Sequence, residues 1–550
     1  MTDVQADGLV SRARKHDWES AASARRVRRR HAANRRLQLY GLAAITIAIG
    51  LLGVLIGALI YNGHTSFYQS KATLEIRLDP SVIDAGNIDN ANYRRIFNTA
   101  VEQYFPDVTA PAEKRQLSDI FSSESRYVVR DYVRAHPEQI GQTVRLAVSL
   151  SDPFDQLEKG VIPRYVEALS TADKARLDYW RNRALIDTKD GDAALLLNLF
   201  IDPAKVRAGD FKTMVEEGLR AVGPRSADFA MSSYAMLADN AADVLKAYVT
   251  AHRDRIGTVI ENFKLPLAQP YAALAKGETP MVANPRFASE KQFAWLDRLK
   301  SQGLINYPFS SELFVNPTSR FPEIAGLAGA ITGSFLALLV CIFISFPLGI
   351  AAAVYLEEFA PKNRVTDIIE VNINNLAAVP SVVFGLLGLA VFINTLGLPR
   401  SAPLVGGLVL ALITLPTIII TTRAALKAVP PSIREAALGV GASRHQVVMH
   451  HVLPLAMPGV LTGVIIGLAH ALGETAPLLL IGMNAFIPSV ENLGLLEPAT
   501  AFPTQIYSWA DSPERGFVAR TSAAILVLLG FLIAVNAVAI FLRQRFERKW

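Results

Sequence analysis

Arg423, His470 and Glu474 are ionisable side chains that lie within or directly after long apolar runs in the second half of this 550-residue sequence. His470 and Glu474 are four residues apart, which places them within contact distance on one face of a helix. An ionised side chain at the centre of a membrane-spanning helix costs on the order of 2.5 kcal/mol or more, so it faces a protein interior or a water-filled path. We therefore predict a polar path or gate here, with Thr475 beside Glu474.

The same residues have structural alternatives. Glu474 could pair with Arg423 or His470 solely to hold two helices together. Arg423 could be a basic anchor where its helix reaches the cytoplasmic surface. Because a carboxylate repels anions, an anion that followed this path would require Glu474 to orient a cation or an N–H group toward it.

A second cluster of small and polar residues lies in the segment 430–454, between two apolar runs. Ser432 precedes Glu435 by three residues, which is the spacing of a helix-capping box. Gly439 and Gly441 then predict a stop through the left-handed backbone conformation. The first part of the segment is therefore predicted to be a short helix that ends in a glycine turn.

A second capping box is predicted directly after this turn. Ser443 precedes Gln446 by three residues, and the helix that starts there is predicted to end at Val452. The segment is then a helix, a turn and a second helix, lying across the inner face of a membrane.

The elements that position these residues are apolar runs. Apolar residues make up 51% of the sequence and charged residues 19%, and a run of about 20 apolar residues crosses a bilayer as a helix. The first run is too long for the apolar region of a signal peptide, so we expect it to remain. We predict six spans, at 37–61, 324–356, 371–396, 403–422, 455–483 and 521–542.

Basic residues set the expected orientation. Lys and Arg are concentrated in residues 1–36, in the loop 423–454 and in the tail 543–550, and segments of this kind stay in the cytoplasm. Both termini are therefore expected inside, together with the loop 357–370. The net charge of +6 follows from this topology, so nucleic acid is not an expected partner and the lipid bilayer is.

Small residues recur every four positions in the fifth predicted span, at Gly459, Gly463, Gly467 and Ala471. Such a stripe lets two helix backbones approach closely in lipid. We predict that these glycines pack against a neighbouring span.

Residues 62–323 form a polar insertion between the first two spans, expected on the extracytoplasmic side. Alternating polarity predicts strands at 73–78 and 144–150, and a longer pattern at 227–249 predicts a helix. The apolar run 194–201 is too short to span and is predicted to be buried core. We expect one α+β domain, or two, and its role as a partner contact, a lid or a scaffold stays open.

The loop resembles the EAA loop of ABC-importer permeases in the residues Glu435, Ala436, Ala437, Gly441, Leu453 and Pro454. The resemblance implies that the first loop helix docks on an ATP-hydrolysing subunit, whose motion is passed to the spans as rigid bodies. Arg434 and Glu435 are expected to fix the register of that contact. The sequence has no G-x-x-x-x-G-K-[ST] phosphate loop, so we expect no cofactor on this non-enzymatic chain and ATP with Mg²⁺ on the partner.

Three segments narrow the resemblance to phosphate permeases of the PstA type: REAALGVGAS at 434–443, GETAPLLLIG at 473–482 and VPSVVFGLLGLAVF at 379–392. The implied fold is a membrane all-α core of six transmembrane helices. The α+β extracytoplasmic domain predicted above is inserted between helices 1 and 2. The implied function is import of inorganic phosphate across the bacterial inner membrane. The implied partners are a sister permease, an ATP-binding subunit dimer and an extracytoplasmic phosphate-binding protein.

Three features depart from that family. His470 stands where members have a basic residue, often arginine, and histidine is only partly charged near neutral pH. His451 stands where such loops usually have isoleucine or valine. The insertion 62–323 replaces a first outer loop that is short in many members.

Other functions fit parts of the sequence. A permease for another oxyanion, such as molybdate or sulfate, would share the loop but not the segment 473–482. A membrane-anchored sensor would need a large cytoplasmic domain, and no predicted inner segment exceeds about 36 residues. An intramembrane enzyme would need paired catalytic groups, for which only His470 and Glu474 are available.

Overall fold

The computed structural model describes residues 21–83, 87–188, 192–223, 233–489 and 494–546. The chain separates into two compact units. The membrane unit comprises Met1–Gln69 and Tyr307–Trp550, and the insertion unit comprises Ser70–Asn306. The insertion unit is thus shorter at both ends than the predicted limits 62–323, because residues just outside it pair with one another in the membrane unit.

The chain enters the membrane unit with a long helix, α1 (Ala21–Gly63). The described part of the basic N-terminal segment, from residue 21 to residue 36, continues directly into the first predicted span. Residues 1–20 lie outside the described part of the chain, as do residues 547–550 of the predicted basic tail.

The insertion unit contains short strands and helices in alternation. Its strands are β1 (Lys71–Arg77), β2 (Thr143–Ser149), β3 (Tyr165–Glu167), β4 (Ile186–Asp187), β5 (Ala194–Phe200), β6 (Val259–Pro266), β7 (Met281–Ala283) and β8 (Ile305–Asn306). Its helices are α2 (Tyr93–Tyr104), α3 (Pro111–Ser118), α4 (Ser125–Ala135), α5 (Asp152–Glu158), α6 (Thr171–Arg181), α7 (Pro203–Ala208), α8 (Phe211–Val222), α9 (Ala241–Ala251), α10 (Gln269–Ala275) and α11 (Lys291–Ser301).

The alternating segments predicted as strands are strands. β1 and β2 pair antiparallel from Lys71 opposite Ser149 to Arg77 opposite Thr143, and their alternate side chains are buried. The apolar run at 194–201 is mostly strand β5, and most of its leucines belong to the core as predicted, whereas Phe200 is exposed. Residues 227–232 of the predicted helix 227–249 lie outside the described chain. In the described remainder the prediction is wrong as one element, because residues 235–240 form turns and an isolated bridge at Leu237, and the helix begins at Ala241.

Two separate hydrophobic cores divide the insertion unit into lobes. The first lobe is built on the sheet β2-β1-β8 and the second on the sheet β4-β5-β6, with the ribbon β3-β7 as a further pair of strands. Leu74, Phe97 and Val129 belong to the core of the first lobe. Leu195 and Leu245 belong to the core of the second lobe. The α+β content predicted from the sequence is present, in two lobes.

The membrane unit resumes after the insertion and is helical. Its helices are α12 (Glu312–Val315), α13 (Ala328–Val354), α14 (Arg364–Ala377), α15 (Ser381–Leu387), α16 (Pro403–Lys427), α17 (Pro431–Gly439), α18 (Arg444–Gln446), α19 (Leu453–Gly473), α20 (Ala476–Leu480), α21 (Phe502–Ala510) and α22 (Gly516–Phe546). Single π-helical turns extend three of the segments, at Tyr355–Phe359, Gly388–Thr395 and Val447–Val452.

Within the described residues, five helices are long and apolar enough to cross a membrane. They contain most of the runs predicted as the first, second, fourth, fifth and sixth spans. The predicted third span, 371–396, is wrong as a straight helix, since Arg364–Ala377 and Ser381–Thr395 meet at 102°. Pro380 lies at the break, and a proline disfavours helical backbone in the residue before it. This bent pair makes a sixth span if it is counted as one.

The segments flanking the insertion unit are held together inside the membrane unit. The amide of Gln69 donates to the carbonyl of Pro308 at 3.1 Å, and the amide of Ser310 donates to the carbonyl of Phe67 at 2.8 Å. Arg520, at the start of α22, is 3% exposed. Its Nη2 donates to Gln69 Oε1 at 3.1 Å and to the carbonyl oxygen of Glu323 at 2.9 Å. This arginine therefore ties both flanking segments to the last long helix.

We expect Arg520→Leu to destabilise the membrane unit by about 3 kcal/mol, because two buried acceptors lose a charged donor. The measurement is the temperature at which the detergent-solubilised chain loses its monodisperse elution. Arg515→Leu is the matched control, since Arg515 is exposed and directly precedes the same helix, α22. Equal losses for both variants would contradict a structural role for Arg520.

Candidate functional site

The loop segment 430–454 forms a helix and a turn, as predicted. The helix α17 ends at Gly439, and Gly441 has φ of +90°, in the left-handed region that favours glycine. The predicted cap at Ser432 is wrong, since Pro430 precedes the helix without a side-chain cap and Pro431 occupies the first turn. Proline is well suited to that position because its missing N–H has no partner there anyway.

The second capping box is confirmed. The amide of Ser443 donates to Gln446 Oε1 at 2.9 Å, and the amide of Gln446 donates to Ser443 Oγ at 3.3 Å. The helix that starts here does not end at Val452, however, but continues without interruption to Gly473.

A π-helical turn explains this continuity. In a regular α-helix the ring of Pro454 would clash with the carbonyl of the residue four positions earlier, His450. The turn Val447–Val452 widens the backbone at that place, which accommodates the proline. The loop segment is therefore joined rigidly to the fifth long helix.

The first loop helix buries one side and exposes the other. Ala437 is buried in a cluster with Leu426 and Val452. Glu435, Ala436 and Gly441 are exposed. Leu438 and Val440 are also exposed, Val440 to 85%. This surface combines one acidic residue, small residues and two apolar side chains that the sequence pattern had not singled out.

Arg434 is half-buried beside this exposed surface and is held by contacts within the chain, while its contact with a partner stays a prediction. Its Nη2 donates to Glu358 Oε1 at 2.7 Å and to the carbonyl of Leu426 at 2.9 Å, and its Nη1 donates to the carbonyl of Val429 at 2.7 Å. The side chains of Arg434 and Glu358 are 23% and 11% exposed. Arg434 thus connects the loop helix α17 to the π-helical turn that follows α13 and to the end of α16.

Arg423 lies in a second ionic cluster near the first. Its Nη2 is 2.5 Å from Glu370 Oε1, and its Nε is 3.4 Å from Glu357 Oε2. Lys427 Nζ is 3.5 Å from the same oxygen of Glu357. Among the alternatives, the structure therefore separates Arg423 from Glu474 and pairs it with two acidic residues. Glu357, Glu358 and Glu370 were not among the predicted site residues, although they lie at the two ends of the predicted inner loop 357–370, on the same side as the arginine-containing loop 423–454.

Glu474 pairs with His470, one of the two partners considered for it. His470 Nε2 lies 2.9 Å from Glu474 Oε1, and the side chains are 58% and 15% exposed, respectively. Thr475 Oγ1 lies 3.5 Å from the carbonyl oxygen of Gly473. Glu474 is therefore well covered, while one side of the His470 ring stays accessible.

The helix breaks at this pair, so the predicted span 455–483 is wrong as one helix. α19 ends at Gly473, Glu474 has extended backbone, and the short helix α20 starts at Ala476. Pro477 supplies no amide hydrogen and opposes continuation of α19. Irregular backbone at membrane depth is tolerated where it is buried in protein or lines an aqueous cavity.

The glycine stripe on α19 faces α16. The spacing of the glycines had predicted that they pack against a neighbouring span, without identifying which one. A Cβ atom at Gly459 would lie 2.7 Å from Ala425 Cβ, and one at Gly463 would overlap the side chain of Thr421. At Gly467 the nearest atoms are 3.7 Å away, which is ordinary contact distance. Close approach of the two helices thus depends on Gly459 and Gly463 and less on Gly467.

Two protein-family models match parts of this chain, and one of them describes a transport component. The family described as "Binding-protein-dependent transport system inner membrane component" matches residues 345–550. A second model, described as a domain of unknown function (DUF3333), matches residues 24–168.

Several named proteins are similar to about two fifths of the chain. The probable ABC transporter permease protein YqgI of Bacillus subtilis is 30% identical over 40% of this chain and 79% of its own length. The phosphate transport system permease protein PstA is 31% identical in Xylella fastidiosa and 32% identical in Haemophilus influenzae, over 81% and 82% of those proteins and 42% and 44% of this chain. A chain of the MetNI methionine ABC transporter is 16% identical over 40% of this chain and 95% of its own, with a TM-score of 0.32, too low to support an argument.

Proposed function

This chain belongs to the family of phosphate ABC-transporter permeases of the PstA type, and from that premise we propose that it is the subunit through which inorganic phosphate enters the cell. It is a multi-pass membrane protein of an ABC importer. The observation that carries the choice of phosphate is the similarity, at 31% to 32% identity and over four fifths of their length, to proteins named as phosphate permeases. It forms half of a translocation path whose other half is a sister permease.

The exposed side of α17 is the proposed docking surface for the ATP-binding subunit dimer. Ala436 and Gly441 allow close approach, while Leu438 and Val440 offer apolar area that is otherwise left in water. Burial of such area stabilises a contact by roughly 25 cal/mol per Å². Glu435 supplies a polar contact at the edge. ATP and Mg²⁺ are bound by that partner.

Motion of the docked helix has two routes into the membrane helices. One is covalent, through the turn at Gly441 and the helix that runs on to Gly473. The other is the ion pair of Arg434 with Glu358, which joins α17 to α13. A helix held at both places moves its neighbours as rigid bodies when the ATPase dimer closes.

The break at Glu474 is the proposed place where phosphate meets this subunit. The Nε2–H group of His470 donates to Glu474 Oε1, which holds the ring in one orientation. When the imidazole is protonated on both nitrogens, Nδ1 is also a donor, and it can bind a phosphate oxygen. In this arrangement Glu474 positions the ring and His470 contacts the cargo, while Arg423 acts in the ionic cluster with Glu357 and Glu370.

The proposed orientation has both termini in the cytoplasm, because the loop 423–454 and the end of α22 carry the basic residues. The insertion unit is then extracytoplasmic. An extracytoplasmic phosphate-binding protein delivers the cargo from the same side.

Uptake of radiolabelled phosphate into vesicles that contain this chain with its co-purified subunits tests the proposal. We expect ATP-dependent uptake that is inhibited by unlabelled phosphate and is not inhibited by excess sulfate or molybdate. Glu474→Gln and His470→Gln should each lower uptake about tenfold or more, since a charge-assisted hydrogen bond is lost. His470→Arg should retain uptake, because arginine can also pair with Glu474.

Glu497→Gln is the matched control, since Glu497 is an exposed carboxylate in the same unit. Competition by sulfate or molybdate equal to that by phosphate would assign another oxyanion. Full uptake by Glu474→Gln would place the cargo path elsewhere.

A further inference from the structure

Two stretches of the insertion unit repeat one another in sequence. Residues 132–141 read YVRAHPEQIG, and residues 248–257 read YVTAHRDRIG. Tyr, Val, Ala, His, Ile and Gly recur at the same positions. Each stretch covers the end of an 11-residue helix, α4 or α9. The strand that follows is β2 after the first stretch and β6 after the second. Recurrence at this level is typical of an internal repeat.

The repeated stretches also share their backbone conformation and hydrogen bonds. Gly141 and Gly257 have φ of +95° and +89°. The amide of Gly141 donates to the carbonyl of Leu78 at 2.7 Å, and the amide of Gly257 donates to the carbonyl of Ile201 at 2.8 Å. Leu78 follows β1, and Ile201 follows β5. β1 and β5 therefore occupy equivalent places in the two lobes.

A second pair of similar stretches lies further along the chain, one after each stretch of the first pair. Residues 177–187 read LDYWRNRALID, and residues 296–306 read LDRLKSQGLIN. In each, a helix is followed within three residues by one with positive φ, Ala184 at +55° or Gly303 at +69°. A short strand follows, β4 or β8. Residues 71–187 and 194–306 are thus two copies of one arrangement.

The last helix and strand of each copy pack in the other copy's lobe. β4, from the first copy, pairs with β5 of the second, and β8, from the second copy, pairs with β1 of the first. The amide of Leu196 donates to the carbonyl of Leu185 at 2.7 Å, and the amide of Thr73 donates to the carbonyl of Leu304 at 2.8 Å. These two bonds are equivalent in the two lobes.

The hydrophobic cores show the same exchange. Leu177 of α6 and its neighbour Trp180 are fully buried with the second lobe. Leu296, the residue equivalent to Leu177, is fully buried with the first lobe. The segments that carry the chain across, β3 and β7, lie antiparallel to each other, with Val166 opposite Val282.

We propose that the insertion unit is a tandem duplication in which the two copies have exchanged their C-terminal helix–strand pair, so that it is a swapped dimer within one chain. Exchange of an identical element between two copies is an established route to dimers. Fusion of the copies makes the exchange permanent.

The exchange gives the unit a mechanical property. β1, where the chain enters, is completed by β8, where the chain leaves. The two ends of the insertion are therefore neighbouring antiparallel strands, and the first lobe is complete only when the second copy has been made. Pairing of β1 with β8 consequently holds the first and last strands of the insertion unit next to each other.

Hydrogen exchange of the full-length chain in its membrane complex, followed by mass spectrometry, tests the proposal. We expect Leu177→Ala to speed exchange of the β5 and β6 amides about 100-fold and to leave β1 and β2 protected, because the cavity opens in the second lobe. Leu296→Ala should do the reverse. Each substitution is the matched control of the other.

Gly141→Ala and Gly257→Ala lie outside the exchanged part and should each loosen the lobe of their own copy, since alanine is strained at these φ values. Loosening of β1 and β2 by Leu177→Ala would overturn the exchange, as would equal loosening of both sheets by either leucine variant. If an alanine variant does not accumulate, the milder Leu177→Val and Leu296→Val carry the same test with smaller rate changes of the same pattern.

Discussion

Reversing the charge at Arg434 is expected to lower ATP-driven phosphate uptake about 100-fold while the ATPase subunit stays bound. Arg434→Glu would place a second carboxylate beside Glu358 and leave the carbonyls of Leu426 and Val429 without their donor. Removing one partner of a fully buried ion pair costs about 3 to 5 kcal/mol, and the cost here is expected at the lower end because the two side chains are 23% and 11% exposed. The loop helix would then lose its direct connection to α13.

The reciprocal double variant makes this prediction specific. Glu358→Arg alone should be as damaging, and Arg434→Glu combined with Glu358→Arg should recover part of the uptake by restoring the pair. Lys427→Glu is the control, because Lys427 is 60% exposed and exposed ion pairs contribute about 0 to 1 kcal/mol.

Two measurements on the same membranes separate transmission from docking. Phosphate uptake per ATP hydrolysed should fall in Arg434→Glu, while the amount of co-purified ATPase subunit should not. Loss of the ATPase subunit from this variant would instead support the contact with the partner that the sequence alone suggested for Arg434. Undiminished uptake would show that the covalent route through Gly441 suffices.

Gly463→Leu is expected to prevent accumulation of the folded subunit in the membrane. The backbones of α19 and α16 are so close at this position that even a Cβ atom overlaps Thr421. Overpacking typically costs 1 to 3 kcal/mol, and a leucine with no space on either side exceeds that range by separating the helices. The measurement is the amount of chain in detergent extracts that elutes as a single species.

Two variants control this prediction. Gly467→Ala should accumulate normally, since the nearest atoms to its Cβ are 3.7 Å away. Gly463→Ala should be damaging alone and should be rescued by Thr421→Gly, which removes the side chain that the new methyl group would overlap. Failure of this rescue would mean that the stripe is not packed as described.

Local features of the membrane unit followed from the sequence. The apolar runs predicted most of the long helices because a bilayer requires about 20 apolar residues per span. Ser443 with Gln446 and the turn at Gly441 were predictable because capping and positive φ depend on residues within one turn. The four-residue period of the glycines identified a packing face, although not the helix it meets.

Other local predictions were wrong for reasons that are also local. A serine three residues before a glutamate does not form a cap when the helix begins one residue earlier, at Pro431. Pro380 bends the predicted third span, whereas Pro454 is passed without a break because a π-helical turn precedes it. The sequence shows the prolines, but the surrounding packing decides which of these responses has the lower free energy.

What the sequence by itself determined is therefore the set of elements whose cause lies within a few residues: apolar spans, alternating strands, one capping box and a glycine turn. Tertiary structure alone decided the partners. Arg423 and Arg434 meet acidic residues 53 to 76 positions away, and Leu177 and Leu296 are buried in each other's copy. The physical reason is that ion pairing and burial depend on distance in space, and many pairings of the same side chains satisfy the local pattern equally well.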